Sequence, residues 1–257
     1  MKKPAVIMGM GQMGGVFARG LLSVGHPVYP VLREMSMQKV SDEIEDPVLV
    51  LVAVAEGDLA GVLDQLPDQW KARLGLLQNE LLPNDWETHD IDDPTVVAVW
   101  FEKKVRRPVT PLWPSPVFGP QSGLIERALA ALNIPVEVLE HKDELVGALV
   151  MKNLYILTAN IAGLVGADTV GGLLEENYDL TRRVFEDVLA LQEALTGRSF
   201  EASKMWSRLE QIFREAPEHG SRGRSAPQRL DRALEESESL GLELTSLIEI
   251  KGHTAKP

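Results

Sequence analysis

Short apolar runs alternate with helical stripes along the front half of the chain. Ala5 to Met8 is apolar and leads into Gly9-Met10-Gly11-Gln12-Met13-Gly14-Gly15. Val16, Phe17, Leu21 and Leu22 follow at helical spacing, so the segment reads as strand, tight turn and helix. Gly25-His26 closes that helix, Val28 to Leu32 forms a second strand, and Arg33 to Asp46 is polar. Val48 to Ala55 is continuously apolar, the pattern of a strand in a parallel sheet covered on both faces. Leu59, Val62, Leu63 and Leu66 make a helical stripe ended by Pro67. Leu74 to Gln78 and Val96 to Phe101 add parallel strands. Val109 to Phe118, interrupted by Pro111, Pro114 and Pro116, reads as an edge or loop segment. Leu124 to Leu132 is a helix and Pro135 to Leu139 one more strand.

Beyond His141 the strand pattern stops and helical stripes run to the C-terminus. Leu145, Leu149, Lys152, Ile156 and Asn160 share one face of a long helix, and Val184, Val188, Leu191 and Leu195 mark another. Glu215 to Pro227 is a polar, turn-rich connector before a last helix. The expected architecture is α/β: a Rossmann-type doubly wound sheet over residues 1–141, then a smaller all-helical domain over 142–257. Such a sheet presents a ligand at the carboxyl ends of its strands.

Composition narrows the function. The chain has 257 residues, 44% hydrophobic and 25% charged, enough to build a sizeable core without a disorder signature. It contains no Cys, which excludes disulfides, iron–sulfur clusters and thiol catalysis. A net charge of −12 opposes a nucleic-acid partner, and the basic runs Lys103 to Arg107 and Arg222 to Arg224 are too short to overturn that. Val48 to Ala55 is too short to span a bilayer, and the start of the chain lacks an export signal, so a cytoplasmic protein is expected. The five histidines lack paired ligand spacing, and Asp90, Asp92 and Asp93 beside His89 read as a loop cluster, so no metal is expected.

Three motifs carry chemistry. Gly9-x-Gly11-x-x-Gly14, placed between a strand and an amphipathic helix, is the dinucleotide fingerprint. Gly9 permits the turn, Gly11 lets a pyrophosphate approach the backbone, and Gly14 lets the helix pack on the strand, with Gln12 and Met13 completing the turn. About twenty residues on, where the ribose is read, stands Arg33. A guanidinium there can fork onto a 2′-phosphate, so Arg33, with Ser36 and Lys39, favours NADP over NAD, although Glu34 keeps NAD open. Asn79 ends a strand, where its amide either contacts ribose or substrate or starts an Asn turn. Lys152 sits mid-helix among apolar residues, where it either snorkels to solvent or is partly desolvated, which lowers a lysine pKa and suits it to donate a proton; Asn160 projects from the same face.

These residues, in this order, resemble the ketopantoate reductase family along nearly the whole chain: Gly9 to Gly14, Gly25-His26-x-Val28 ending at Arg33, Gln78-Asn79, Lys152 and Asn160. The resemblance implies that Arg33 binds the NADP 2′-phosphate, Asn79 lies at the cofactor and active site, and Lys152 is the general acid when hydride passes to a 2-oxo carbon. It also implies that Ser225 holds a substrate carboxylate. The departures concern substrate. Ala55 or Glu56 stands where the family has a lysine, Ile156 where it has an asparagine, and Arg229 where it has an acid; Glu238 is a poor stand-in for the family's active-site glutamate.

The expected function is therefore an NADPH-dependent reductase of a small 2-oxo acid other than ketopantoate, with Lys152 and Asn79 catalytic and Asn160 and Ser225 on the substrate. Dimerisation through the helical domain would be ordinary. One alternative is a non-catalytic NADP-binding sensor or interaction protein, for which Trp100, Trp113 and the Pro-rich stretch Pro108 to Pro120 could offer a surface. Another is a 3-hydroxyacid dehydrogenase-like enzyme, against which the missing asparagine at 156 counts.

Overall fold

The computed structural model describes residues 2–254. The chain divides into two units, Met1–Leu149 and Val150–Pro257. In the first unit the elements run β1 (Ala5–Met8), α1 (Gln12–Ser23), β2 (Val28–Val31), α2 (Met37–Glu43), β3 (Leu49–Val52), α3 (Leu59–Leu63), α4 (Asp68–Lys71) and β4 (Leu74–Leu76). There follow α5 (Asn84–Glu87), β5 (Thr95–Val97), β6 (Phe101–Lys103), β7 (Val109–Pro111), β8 (Ser115–Phe118), α6 (Ser122–Ala130) and β9 (Val136–Val138).

Seven of these strands form one sheet in the order β2-β1-β3-β4-β5-β8-β9, parallel except where β8 meets β5. Successive residues of a strand face opposite sides. On one side Ala5, Ile7, Leu49, Leu51 and Val117 bury against Phe17 and Leu21 of α1 and Ile125 and Leu129 of α6. Their alternate neighbours Val6, Met8, Val50 and Val52 are equally buried, so both faces of the sheet are covered. That is why Val48 to Ala55 reads as a continuous apolar run. Pro30 is tolerated because β2 is an edge strand.

Two expectations are corrected here. Val96 to Phe101 is not one strand. After Val97 the chain leaves the sheet, with the Ala98 N–H donating to Pro116 O (2.9 Å) and the Trp100 N–H to Ser115 Oγ (3.0 Å); Phe101 opens a separate β6–β7 hairpin. The proline-rich segment contains β8, an inner strand rather than an edge or loop. Pro116 faces Ala98, just past the end of β5, where it accepts from the Ala98 N–H and lacks only the return bond. The basic run 103–107 is the tip of the hairpin. Lys103 Nζ donates to the carbonyls of Lys104 (2.8 Å) and Arg107 (2.6 Å), and Lys104 pairs with Glu102 (2.9 Å).

The helix α7 (Lys142–Ala162) runs through the division between the units. Among the described residues it is the one helix long and apolar enough to cross a membrane, but 83% of its most apolar window is buried, as in a core helix. The second unit continues with α8 (Val170–Glu176), α9 (Tyr178–Thr196), α10 (Ala202–Glu215), α11 (Ala226–Ser239) and α12 (Thr245–Thr254). The connector is followed by two helices rather than one last helix, because Gly241 turns at φ +67° between α11 and α12. Val184, Phe185, Val188 and Leu191 of α9 supply core residues of this unit. Asn153 on α7 donates to Gln192 Oε1 on α9 (2.8 Å), a satisfied buried amide pair. The 216–225 connector runs against 167–171. The Val170 and Gly171 N–H groups donate to His219 and Pro217 carbonyls, and the Ser221 N–H donates to Asp168 O.

Candidate functional site

Strand order reverses at β1: the chain steps to β2 on one side and to β3 on the other, so a crevice opens at the carboxyl ends of β1 and β3. A cleft of about 640 Å³ lies there, bordered by Gly9 and Gly11 after β1, Arg33 after β2, and Ala55 and Asp58 after β3. Gly9 has φ +88°, and a Cβ on it would stand 2.6 Å from the Ala53 carbonyl oxygen; a Cβ on Gly14 would stand 2.0 Å from the Gly9 oxygen. The turn closes on itself and on β3 so tightly that only glycine fits either position. At Gly11 a Cβ would meet nothing within 4 Å, so this position opens outward. Gly11 is also the N-cap of α1. It supplies no capping side chain, and the first turn carries no acid, so the leading N–H groups and positive helix end are left to an anion.

Arg33 lies on the cleft border with its side chain 88% exposed, and its Nη2 donates to Asp58 Oδ2 at 2.7 Å. Ser36 caps α2 by accepting from the Lys39 N–H (3.4 Å). Gln12 is exposed and Met13 packs against the sheet core; neither borders the cleft. The apolar lining is sulfur-rich, with Met8, Met10, Met35 and Met37 contributing, and the Leu32 N–H meets Met35 Sδ at 3.4 Å.

At the end of β4, Gln78 is buried and donates to Val52 O (2.9 Å), locking β4 to β3. Asn79 is set beyond it and donates to Glu56 Oε1 (2.9 Å); it does not border the cleft. Glu80 adopts φ +63°, a left-handed conformation costly for a residue with a Cβ.

In the second unit, Lys152 is 9% exposed and its Nζ lies 5.7 Å from the centroid of the Tyr155 ring, one helical turn on. Tyr155 is also buried and shares a 2.5 Å hydrogen bond between its Oη and His219 Nδ1. Asn160 donates to Ser221 O (3.1 Å) and accepts from Arg229 Nη1 (2.7 Å), tying the connector to α11. Arg229 is thus a buried partner of Asn160, and Ile156 is a buried core residue. Ser225 is exposed at the N-cap of α11 and makes no side-chain capping bond. His89 pairs with Asp64 (3.0 Å), and no group of three or more His, Asp or Glu suited to a metal occurs among the described residues.

Sequence reasoning missed Asp58, Tyr155 and His219. Tyr155 was recoverable from its i+3 spacing to Lys152. Asp58 and His219 meet their partners only through tertiary contacts.

The sequence matches no protein-family model and no curated protein. Its structure has clear likenesses. A PanE/ApbA family ketopantoate reductase from Ralstonia eutropha JMP134 superposes with a TM-score of 0.69 at 17% identity, over 98% of this chain and 97% of the other. A probable 2-dehydropantoate 2-reductase from Bacillus subtilis gives 0.67 at 19%, covering 98% of each chain. A D-mandelate dehydrogenase solved with NADH gives 0.66 at 11%, over 97% and 96%. The fold class is therefore an N-terminal Rossmann-type sheet followed by a helical domain. More particularly, it is the fold of the ketopantoate reductases, carried by a divergent sequence.

Proposed function

We propose that this protein is an NADPH-dependent reductase of a small 2-oxo acid, with Lys152 as the proton donor. The observation that carries the reading is the turn at Gly9, Gly11 and Gly14. It is closed where the fold needs closure and open at Gly11, beside an uncapped helix end and a cleft edged by an arginine. That cradle suits a dinucleotide pyrophosphate, and Arg33 suits a 2′-phosphate. The nucleotide, when bound, supplies the hydride.

The chain supplies the rest. Lys152 brings an ammonium out of water against an aromatic face, where a proton can be handed to a developing alkoxide. Asn79 orients the reacting carbonyl, and Asn160 and Ser225 act on the acid end of the substrate. Asn160 does so while tied to Ser221 and Arg229, so its amide is pre-positioned. Of the two tryptophans that a sensor or interaction protein could present, Trp100 is buried and Trp113 half-buried.

The test is NADPH consumption by the purified protein with ketopantoate and a panel of small 2-oxo acids, beside Lys152→Ala. Turnover of at least one acid is expected, and Lys152→Ala lowers kcat by about 10²–10⁴-fold with NADPH affinity unchanged. A variant as fast as the parent overturns the role of Lys152. Tight NADPH binding with no turnover of any acid favours the sensor reading.

A further inference from the structure

Arg33 does not stand alone at the mouth of the cleft. Its guanidinium is held by the Asp58 carboxylate at 2.7 Å, and both side chains border the same cleft. Asp58 comes from the turn that follows β3, so the pair joins the two strand ends flanking β1 at the point where a ribose would be read. The two groups favour opposite ligands. A guanidinium forks onto a 2′-phosphate, whereas a carboxylate accepts a hydrogen bond from a free 2′-hydroxyl and repels a phosphate.

We propose that Asp58 is a specificity-determining residue that restrains the preference for NADPH over NADH by competing for Arg33. This rests on the nucleotide reading of the cleft. To take NADPH, Arg33 must turn from Asp58 to the 2′-phosphate, and the carboxylate left beside that phosphate disfavours the complex. To take NADH, the pair stays intact and the Asp58 carboxylate accepts from the ribose hydroxyl through the oxygen that does not hold Arg33. With side-chain exposures of 88% for Arg33 and 47% for Asp58, the pair is solvent-screened, so the guanidinium is readily released and the effect is a tuning of preference rather than a block. Glu34 follows Arg33 in the chain, is exposed, and adds a second negative charge beside it.

The experiment is equilibrium titration of NADPH and NADH into the parent protein, Asp58→Asn, Arg33→Ala and the double variant, read by calorimetry. Asp58→Asn tightens NADPH by about three- to tenfold and leaves NADH equal or weaker. Arg33→Ala weakens NADPH by about tenfold or more with little change for NADH. In the Arg33→Ala background, Asp58→Asn recovers only the part of the gain that comes from removed repulsion. An unchanged NADPH-to-NADH ratio in Asp58→Asn, with both nucleotides still binding, overturns the role of Asp58. Failure of both nucleotides to bind the parent overturns the nucleotide reading itself. Melting curves of all four proteins show that exposed positions were changed without loss of the fold.

Discussion

A methyl group added at Gly14 would sit 2.0 Å from the Gly9 carbonyl, inside any tolerable contact, whereas one added at Gly11 would meet nothing within 4 Å. Gly14→Ala is therefore expected to lower folding stability by about 3 kcal/mol, because backbone rather than a mobile side chain must shift. Gly11→Ala is expected to melt like the parent but to bind NADPH more weakly. Thermal melts paired with nucleotide titration separate the two, and a Gly11→Ala protein with unaltered affinity would contradict the approach assigned to that position. The glycine spacing was legible in the sequence because it encodes sterics that are local to one turn. The Arg33–Asp58 pair was not, since its members are far apart in the chain and meet only because β2 and β3 flank the same strand. Gln12 and Met13 show the reverse limit. They lie within the motif, yet one is exposed and the other turns to the core.

Among the elements, two helix starts use carboxylates in opposite electrostatic settings. At the start of α7, Glu144 accepts from the backbone N–H groups of His141 (3.0 Å) and Glu140 (2.9 Å), and these bonds lower its pKa. At the start of α12, Asp187 accepts from the Ser246 and Leu247 N–H groups, but burial outweighs those bonds and raises its pKa. The stability that Glu144 contributes is present above the ordinary glutamate pKa and is lost as pH falls through its lowered value. Asp187 has the opposite sign, its contribution being full below the ordinary aspartate pKa and lost as pH rises through its raised one. Melting of Glu144→Gln and Asp187→Asn across the acid range should show this. The deficit of Glu144→Gln shrinks toward low pH, and any advantage of Asp187→Asn grows toward neutrality. Parallel melting curves at every pH would refute both assignments. Most elements were readable from periodicity, including the switch to helices after His141. The inner strand β8 was not, because proline's cost depends on which neighbour lacks a partner at that point. Pro116 falls at the last rung between β8 and the end of β5, where the Ala98 N–H still donates to its carbonyl and only the return bond is missing.

At the scale of the whole molecule, the fold matches that of ketopantoate reductases over nearly the full length of the chain at under one-fifth identity. Ile156 and Arg229, where the resemblance in sequence sets an asparagine and an acid, are here a core residue and a partner of Asn160. The apolar lining of the cleft has a consequence of its own. Four of the eight methionines border it, and the chain has no cysteine to act as a softer target. Met10 is 42% exposed there, while Met8 is 3% exposed. A peroxide transfers one oxygen to a thioether and leaves as water, turning a flexible apolar side chain into a polar sulfoxide. Peptide mass spectrometry during mild peroxide treatment should find Met10 oxidised well before Met8, and bound NADPH should slow it; equal rates with and without nucleotide would argue that Met10 stays uncovered. Oxidative damage at Met10 would thus fall on the cleft and, because sulfoxides are enzymatically reducible, would be repairable without new synthesis.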